Sequence, residues 1–218
     1  MNGHNGQFLL DPLKYIGLRA INNLTWFRRA ILPANGATLG MLNNGLSNAK
    51  TGYFDLQAIS IDTVEFAVVA GGGGGEAPIQ AYWCPFVQGG GLPGWVDVPK
   101  ANPPMRFVFT AAMNGCRLIV TDRSATHYRV YHHQHPDSGG PLANGIWTAI
   151  SQQGHEVVSH MGYDEYGVGE DFGRAPNAFN CLYYRNGVWN YLSQPQWFDM
   201  ATLKVTRLPM RAFMRSIV

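Results

Sequence analysis

Cys116-Arg117-Leu118-Ile119-Val120-Thr121, then Asp122-Arg123-Ser124-Ala125-Thr126, then His127-Tyr128-Arg129-Val130-Tyr131-His132-His133 reads as two strands joined by a short polar loop. Both arms are rich in β-branched and aromatic residues, while the connection gathers Asp, Ser and Thr, which hydrogen-bond their own backbone in turns. Centring the loop on Ser124 opposes Thr121 to His127, Val120 to Tyr128, Leu118 to Val130 and Cys116 to His132. Directly opposed residues of an antiparallel pair share a face, with Cβ atoms about 5 Å apart, which suits a sulfur–imidazole hydrogen bond. One face then carries Cys116, Leu118, Val120, Tyr128, Val130 and His132, an apolar set ending in a thiol and an imidazole. The other carries Arg117, Ile119, Thr121, His127, Arg129, Tyr131 and His133. A slip of one residue makes His133 the base and exposes Leu118 and Val120, so burial selects His132.

The residues leading into this hairpin add chemistry. Phe109-Thr110-Ala111-Ala112-Met113-Asn114-Gly115-Cys116 is a strand running into a tight Asn-Gly turn that ends on the cysteine. A thiol beside an imidazole is the minimum equipment for attack on an amide or ester carbonyl. In a low-dielectric setting a thiolate–imidazolium pair is strengthened. Gly115 presents no side chain beside the nucleophile and admits a close substrate. Backbone N–H groups of the Asn114-Gly115-Cys116 turn are candidate oxyanion donors. The run His132-His133-Gln134-His135 has a metal-site look, but spacing fixes no third ligand nearby, so no metal and no cofactor are expected. His127, His133 and His135 read as a solvated strand end.

Strand signals recur on both sides. Ile59–Val69, Ile79–Phe86 and Met105–Thr110 precede the hairpin. Phe179–Tyr184 and Val188–Leu192, joined by Arg185-Asn186-Gly187, form a hairpin with a primed turn. Gly71 to Gly75 lack the Gly-Lys-Ser/Thr ending of a phosphate loop and read as a hairpin tip. Residues 8–32 carry apolar residues at roughly helical spacing, starting at Asp11-Pro12, with Asp as N-cap and Pro at the first helical position. Pro33 and Asn35-Gly36 stop that helix, which lies on the core. Its basic, aromatic end (Trp26, Arg28, Arg29) makes membrane-surface docking the alternative. Gly36 to Thr51 is turn-like, and helix potential returns around Ile146 to Gln153. The expected fold is α+β, a mainly-β mixed sandwich core with flanking helices. It forms one catalytic domain over 1–218, with residues 1–50 as a helical and loop segment packed on it.

Bulk properties narrow the function. A hydrophobic content of 46% with 14% charged residues supports a packed globule. Sixteen basic and 14 acidic residues give +2, with no Lys/Arg stripe, so nucleic-acid binding is not expected. The three cysteines, Cys84, Cys116 and Cys181, show no CxxC spacing and fit a reducing compartment, with Cys84 and Cys181 structural. No apolar run approaches a membrane span, and Met1 to Gln7 lack the regions of a signal peptide, so any export is signal-independent.

Phe109-Thr110-x-x-Met113-Asn114-Gly115-Cys116, followed by Val130-Tyr131-His132, resembles the active-site signature of the Burkholderia lethal factor. More distantly it is similar to the catalytic domain of the cytotoxic necrotizing factors. Tyr82-Trp83-Cys84-Pro85-Phe86 resembles the aromatic-Pro-aromatic strand of the lethal factor. The resemblance covers roughly residues 80 to 133. It implies a secreted bacterial toxin or effector that acts in the host cytosol and deamidates one glutamine of a host protein, a small GTPase or a translation-initiation helicase. By the same resemblance Cys116 is the nucleophile, His132 the acid/base and Thr110 the supporting hydroxyl. The alternatives are transglutamination and cysteine proteolysis on the same dyad, or a carbohydrate- or protein-binding sandwich without chemistry. Pattern places neither an oxyanion glutamine nor a downstream Asn, which ranks proteolysis behind the other acyl transfers.

Overall fold

The computed structural model describes residues 3–23, 48–69, 77–87, 92–134, 136–137, 139–169 and 173–218. Within them the order is α1 (His4–Leu10), α2 (Pro12–Leu18), β1 (Ala20–Asn22), β2 (Thr51–Ala58), β3 (Thr63–Val69), β4 (Ile79–Cys84), β5 (Gly94–Pro99), β6 (Phe107–Thr110), β7 (Arg117–Asp122), β8 (His127–His133), α3 (Pro141–Gln152), β9 (Val157–Met161), α4 (Tyr163–Tyr166), β10 (Arg174–Arg185), β11 (Val188–Asp199), β12 (Val205–Arg207) and β13 (Phe213–Ser216). Strand occupies 48% and helix 18%, which makes the chain α+β with a mainly-β core. A nine-stranded sheet runs β1-β3-β2-β4-β6-β10-β11-β12, with β13 also on β11, and a four-stranded sheet runs β5-β8-β7-β9.

Strand alternation stacks these sheets. From the large sheet, Tyr82, Cys84, Val108, Leu182 and Tyr191 meet Val96, Val98, Leu118, Val120, Val130 and Met161 of the small one in a shared apolar layer. The intervening residues Trp83, Phe107, Phe109 and Phe179 face the other way, onto Phe8, Tyr15 and Ile16 of α1 and α2. On the far side of the small sheet, Ile119 and Tyr131 are covered by Ile146 and Ile150 of α3. The result is helices, large sheet, small sheet, helix. Among the described residues no helix is long and apolar enough to cross a membrane.

The predicted strands at Ile79–Phe86, Met105–Thr110 and His127–His133 and the late hairpin form as expected. Asn186 and Gly187 take φ of 54° and 85° in its turn. Asp11 caps α2 by accepting from Lys14 N at 3.1 Å. Three expectations need correction. The helix ends at Leu18 and not at Leu32, because Ala20–Asn22 pairs in parallel with Thr63–Glu65. The other edge of β1 is satisfied by side-chain amides of β11. Gln194 Oε1 accepts from Ile21 N at 2.8 Å, and Gln196 Nε2 donates to Ile21 O at 2.7 Å. Tertiary pairing thus overrides helical spacing. Next, Ile59–Asp62 is the turn of a hairpin whose first arm, β2, the sequence reading placed in no strand. Gly71 to Gly75, Trp26, Arg28, Arg29, the stop at Pro33 to Gly36 and His135 lie outside the described residues.

The third correction concerns register. β7 and β8 pair Arg117 with His133, Leu118 with His132 and Asp122 with Tyr128, so the loop is centred on Ala125. Ser124 Oγ accepts from Thr126 N and His127 N at 3.3 and 3.1 Å, which closes the loop one residue later than expected. The offset is two residues, so every side chain keeps its face.

Gly94 sits where the two sheets converge, and a Cβ there would lie 1.8 Å from Pro85 O. Gly94→Ala is expected to cost about 2 kcal/mol or more and to lower Tm by several degrees. An unchanged melting curve contradicts this packing.

Candidate functional site

Thr110 ends β6 on the large sheet, and His132 lies near the end of β8 on the small one. Each is placed by parity: Thr110 shares the face of Val108, and His132 that of Val130, so both point into the layer between the sheets. There Thr110 Oγ1 lies 2.6 Å from His132 Nδ1 and 2.8 Å from Cys84 O. A hydroxyl has one proton, and a carbonyl oxygen can only accept. Thr110 therefore donates to Cys84 O and accepts at His132, which puts the ring proton on Nδ1. Nε2 is left with its lone pair, buried and with no hydrogen-bond partner. The ring of Phe86 stands edge-on to His132, with centroids 5.0 Å apart.

His132 is fully buried, and burial followed by the charge of neighbouring His133 lowers its pKa to about 3. The imidazole is neutral in the free protein. The standing thiolate–imidazolium pair expected from the sequence is thus replaced by a neutral imidazole.

Cys116 is 4% exposed and packs with Leu118, Val120, Val130 and Met161. The observed register corrects the expected opposition of Cys116 and His132: Leu118 stands opposite the imidazole, and Cys116 lies just before β7, two residues further along the chain and not directly across from the ring. The turn before the cysteine is pinned at both ends. Met113 N bonds Ala178 O at 3.1 Å, with the reciprocal bond at 2.9 Å, and Tyr166 OH donates to Cys116 O at 2.7 Å. Gly115 takes φ of 75° inside it, a left-handed value that suits glycine. Asn114 is exposed and Gly115 half-buried, so the turn reaches solvent next to the buried Cys116.

None of the three cysteines is in a disulfide, and all three are buried. Cys84 Sγ donates to Val130 O at 3.4 Å, and burial pushes the Cys84 and Cys181 thiols well up, as befits structural side chains. His133 is a correction: it is not a solvated strand end but fully buried beneath α3, with Nδ1 2.9 Å from Gln134 O and its ring 5.1 Å from that of Trp147. Its position on the outer face removes it from the site. His127 is half-exposed and bonds Thr126 Oγ1 at 2.9 Å. Among the described residues no group of three or more His, Cys, Asp or Glu side chains is arranged to hold a metal ion. The sequence reading missed Tyr166, whose four-residue helix carries no motif and lies 50 residues away, and Gly94, hidden in a Gly-rich run.

An unfolded histidine protonates near 6.5 and His132 near 3, so between these values the unfolded chain binds the extra proton. Stability is then complete above about 6.5 and falls on acidification, by up to ~1.4 kcal/mol per pH unit from this group. Burial lowers His133 as well, which acts in the same direction. Thermal melts between neutral and acidic pH are expected to show Tm falling, with a shallower slope in His132→Gln. Identical slopes contradict the burial of a neutral ring.

The sequence model of the Mcf1 activator-binding domain family matches residues 5–214. The chain belongs to that family. No curated protein matches its sequence.

Proposed function

We propose that this domain recognises a host protein and deamidates one of its glutamine side chains through Cys116, His132 and Thr110. The observation that carries the reading is the bond from Thr110 to His132 across the two sheets, which leaves Nε2 without a partner in the layer where Cys116 also packs. The family description speaks of binding an activator, and this supports a protein partner. The resemblance to the lethal factor supports the identity of the chemistry and a host target such as a small GTPase or a translation-initiation helicase. Three buried cysteines without a disulfide suit action in a reducing cytosol.

The steps follow from a neutral base. The Cys116 thiol proton passes to His132 Nε2 as sulfur bonds to the amide carbon, and the carbonyl electron pair moves onto oxygen. Thr110 accepts from Nδ1–H throughout and stabilises the imidazolium as it forms, the orienting role a carboxylate fills in other sites. The tetrahedral oxyanion collapses, the C–N bond breaks, and ammonia leaves with the proton from Nε2. Water then gives a proton to Nε2 as its oxygen attacks the thioester. The C–S bond breaks, sulfur regains the proton, and glutamate is released. A primary amine in place of water gives transglutamination by the same steps. Release of a new peptide fragment would mark proteolysis.

A second reading is supported by the family description and by the depth of His132: a recognition domain that binds its partner without chemistry. Ammonia release from host lysate separates the two. Release from the wild-type domain that is lost in Cys116→Ser supports deamidation, and equal signals from both proteins leave binding alone. Thr110→Val keeps shape but removes the hydroxyl. It is expected to lower kcat by about 10-fold or more while KM changes little, since it acts on the base and not on substrate contacts. Unchanged kinetics remove Thr110 from the mechanism.

A further inference from the structure

We infer that the side-chain amide of Gln134 is the oxyanion donor of the Cys116 site, a role that rests on the catalytic reading above and completes it. Two observations meet at this residue. The β7–β8 ladder ends with Arg117 opposite His133, so Cys116 and Gln134 are the next residues of the two chains where that ladder opens. In addition, Gln134 is 2% exposed, and its Nε2 is buried with no hydrogen-bond partner.

A buried side-chain amide is normally satisfied, so an orphaned N–H pair beside a nucleophile calls for a function. Its backbone has a partner, since Gln134 O lies 2.9 Å from His133 Nδ1, and this fixes the chain at the end of β8 while leaving the side-chain donor unused. An oxyanion donor has this form: held in place, desolvated, and unpaired until charge develops on the substrate oxygen. As Cys116 Sγ bonds to the acyl carbon, the electron pair displaced onto oxygen meets the Nε2 hydrogens. When the intermediate collapses, the pair returns to the carbonyl and the amide is free again. The Asn114-Gly115-Cys116 turn is a further candidate source of backbone N–H donors.

Two reagents separate an electrostatic role from a structural one. p-Nitrophenyl acetate acylates a cysteine through a tetrahedral oxyanion, whereas iodoacetamide alkylates it by displacement without one. In the full chain, Gln134→Met, close in shape but without the donor, is expected to slow acylation of Cys116 by about 10²-fold and to leave its alkylation unchanged. Gln134→Glu, which places an acceptor there, is expected to lose at least as much. Equal loss in both reactions makes Gln134 a structural residue and overturns the assignment, as does unchanged acylation. Wild-type Cys116 no more reactive than Cys84 and Cys181 toward either reagent sinks the catalytic reading itself, and the donor with it.

Discussion

Thr110 Oγ1 stands between the Cys84 carbonyl and the His132 ring, and through these two bonds the large sheet sets the state of a side chain on the small one. Thr110 is 1% exposed, so both bonds lie out of reach of bulk solvent. Because the carbonyl cannot donate, the single proton is committed, and the histidine tautomer follows. Each feature of the site then depends on the sheets keeping their spacing. Gly94 lets Pro85 approach β5 at the position paired with His132, and the shared apolar layer holds the faces together. A hydrogen bond between sheets in such a layer is stronger than one at the surface, and costlier to leave half made.

Burial decides the character of the base. A ring with a pKa of about 3 does not hold a proton at rest, and in the proposed reaction it would take one only as negative charge forms next to it. A partner that covers the Asn114-Gly115 turn would exclude the remaining water.

Much of this was legible in the sequence for reasons that can be named. Period-two alternation in Arg117–Asp122 and His127–His133 fixed the faces, and a two-residue error in loop centre left them untouched because side-chain parity repeats every second residue. The Asn186-Gly187 turn and the Asp11 cap are local devices and were read correctly. What escaped is non-local. Strand β1 was hidden inside a helical pattern because its partners, Thr63–Glu65 and two glutamine amides of β11, lie far along the chain. His133 looked solvated until α3 covered it, and Tyr166 has no sequence mark tying it to Cys116.

The tautomer of His132 tests the central claim most directly. Nitrogen-15 NMR of the imidazole at neutral pH should show a neutral ring with the proton on Nδ1 and an unprotonated Nε2, and Thr110→Val should disturb that assignment. A ring protonated on Nε2 alone, or a charged imidazolium, contradicts the account.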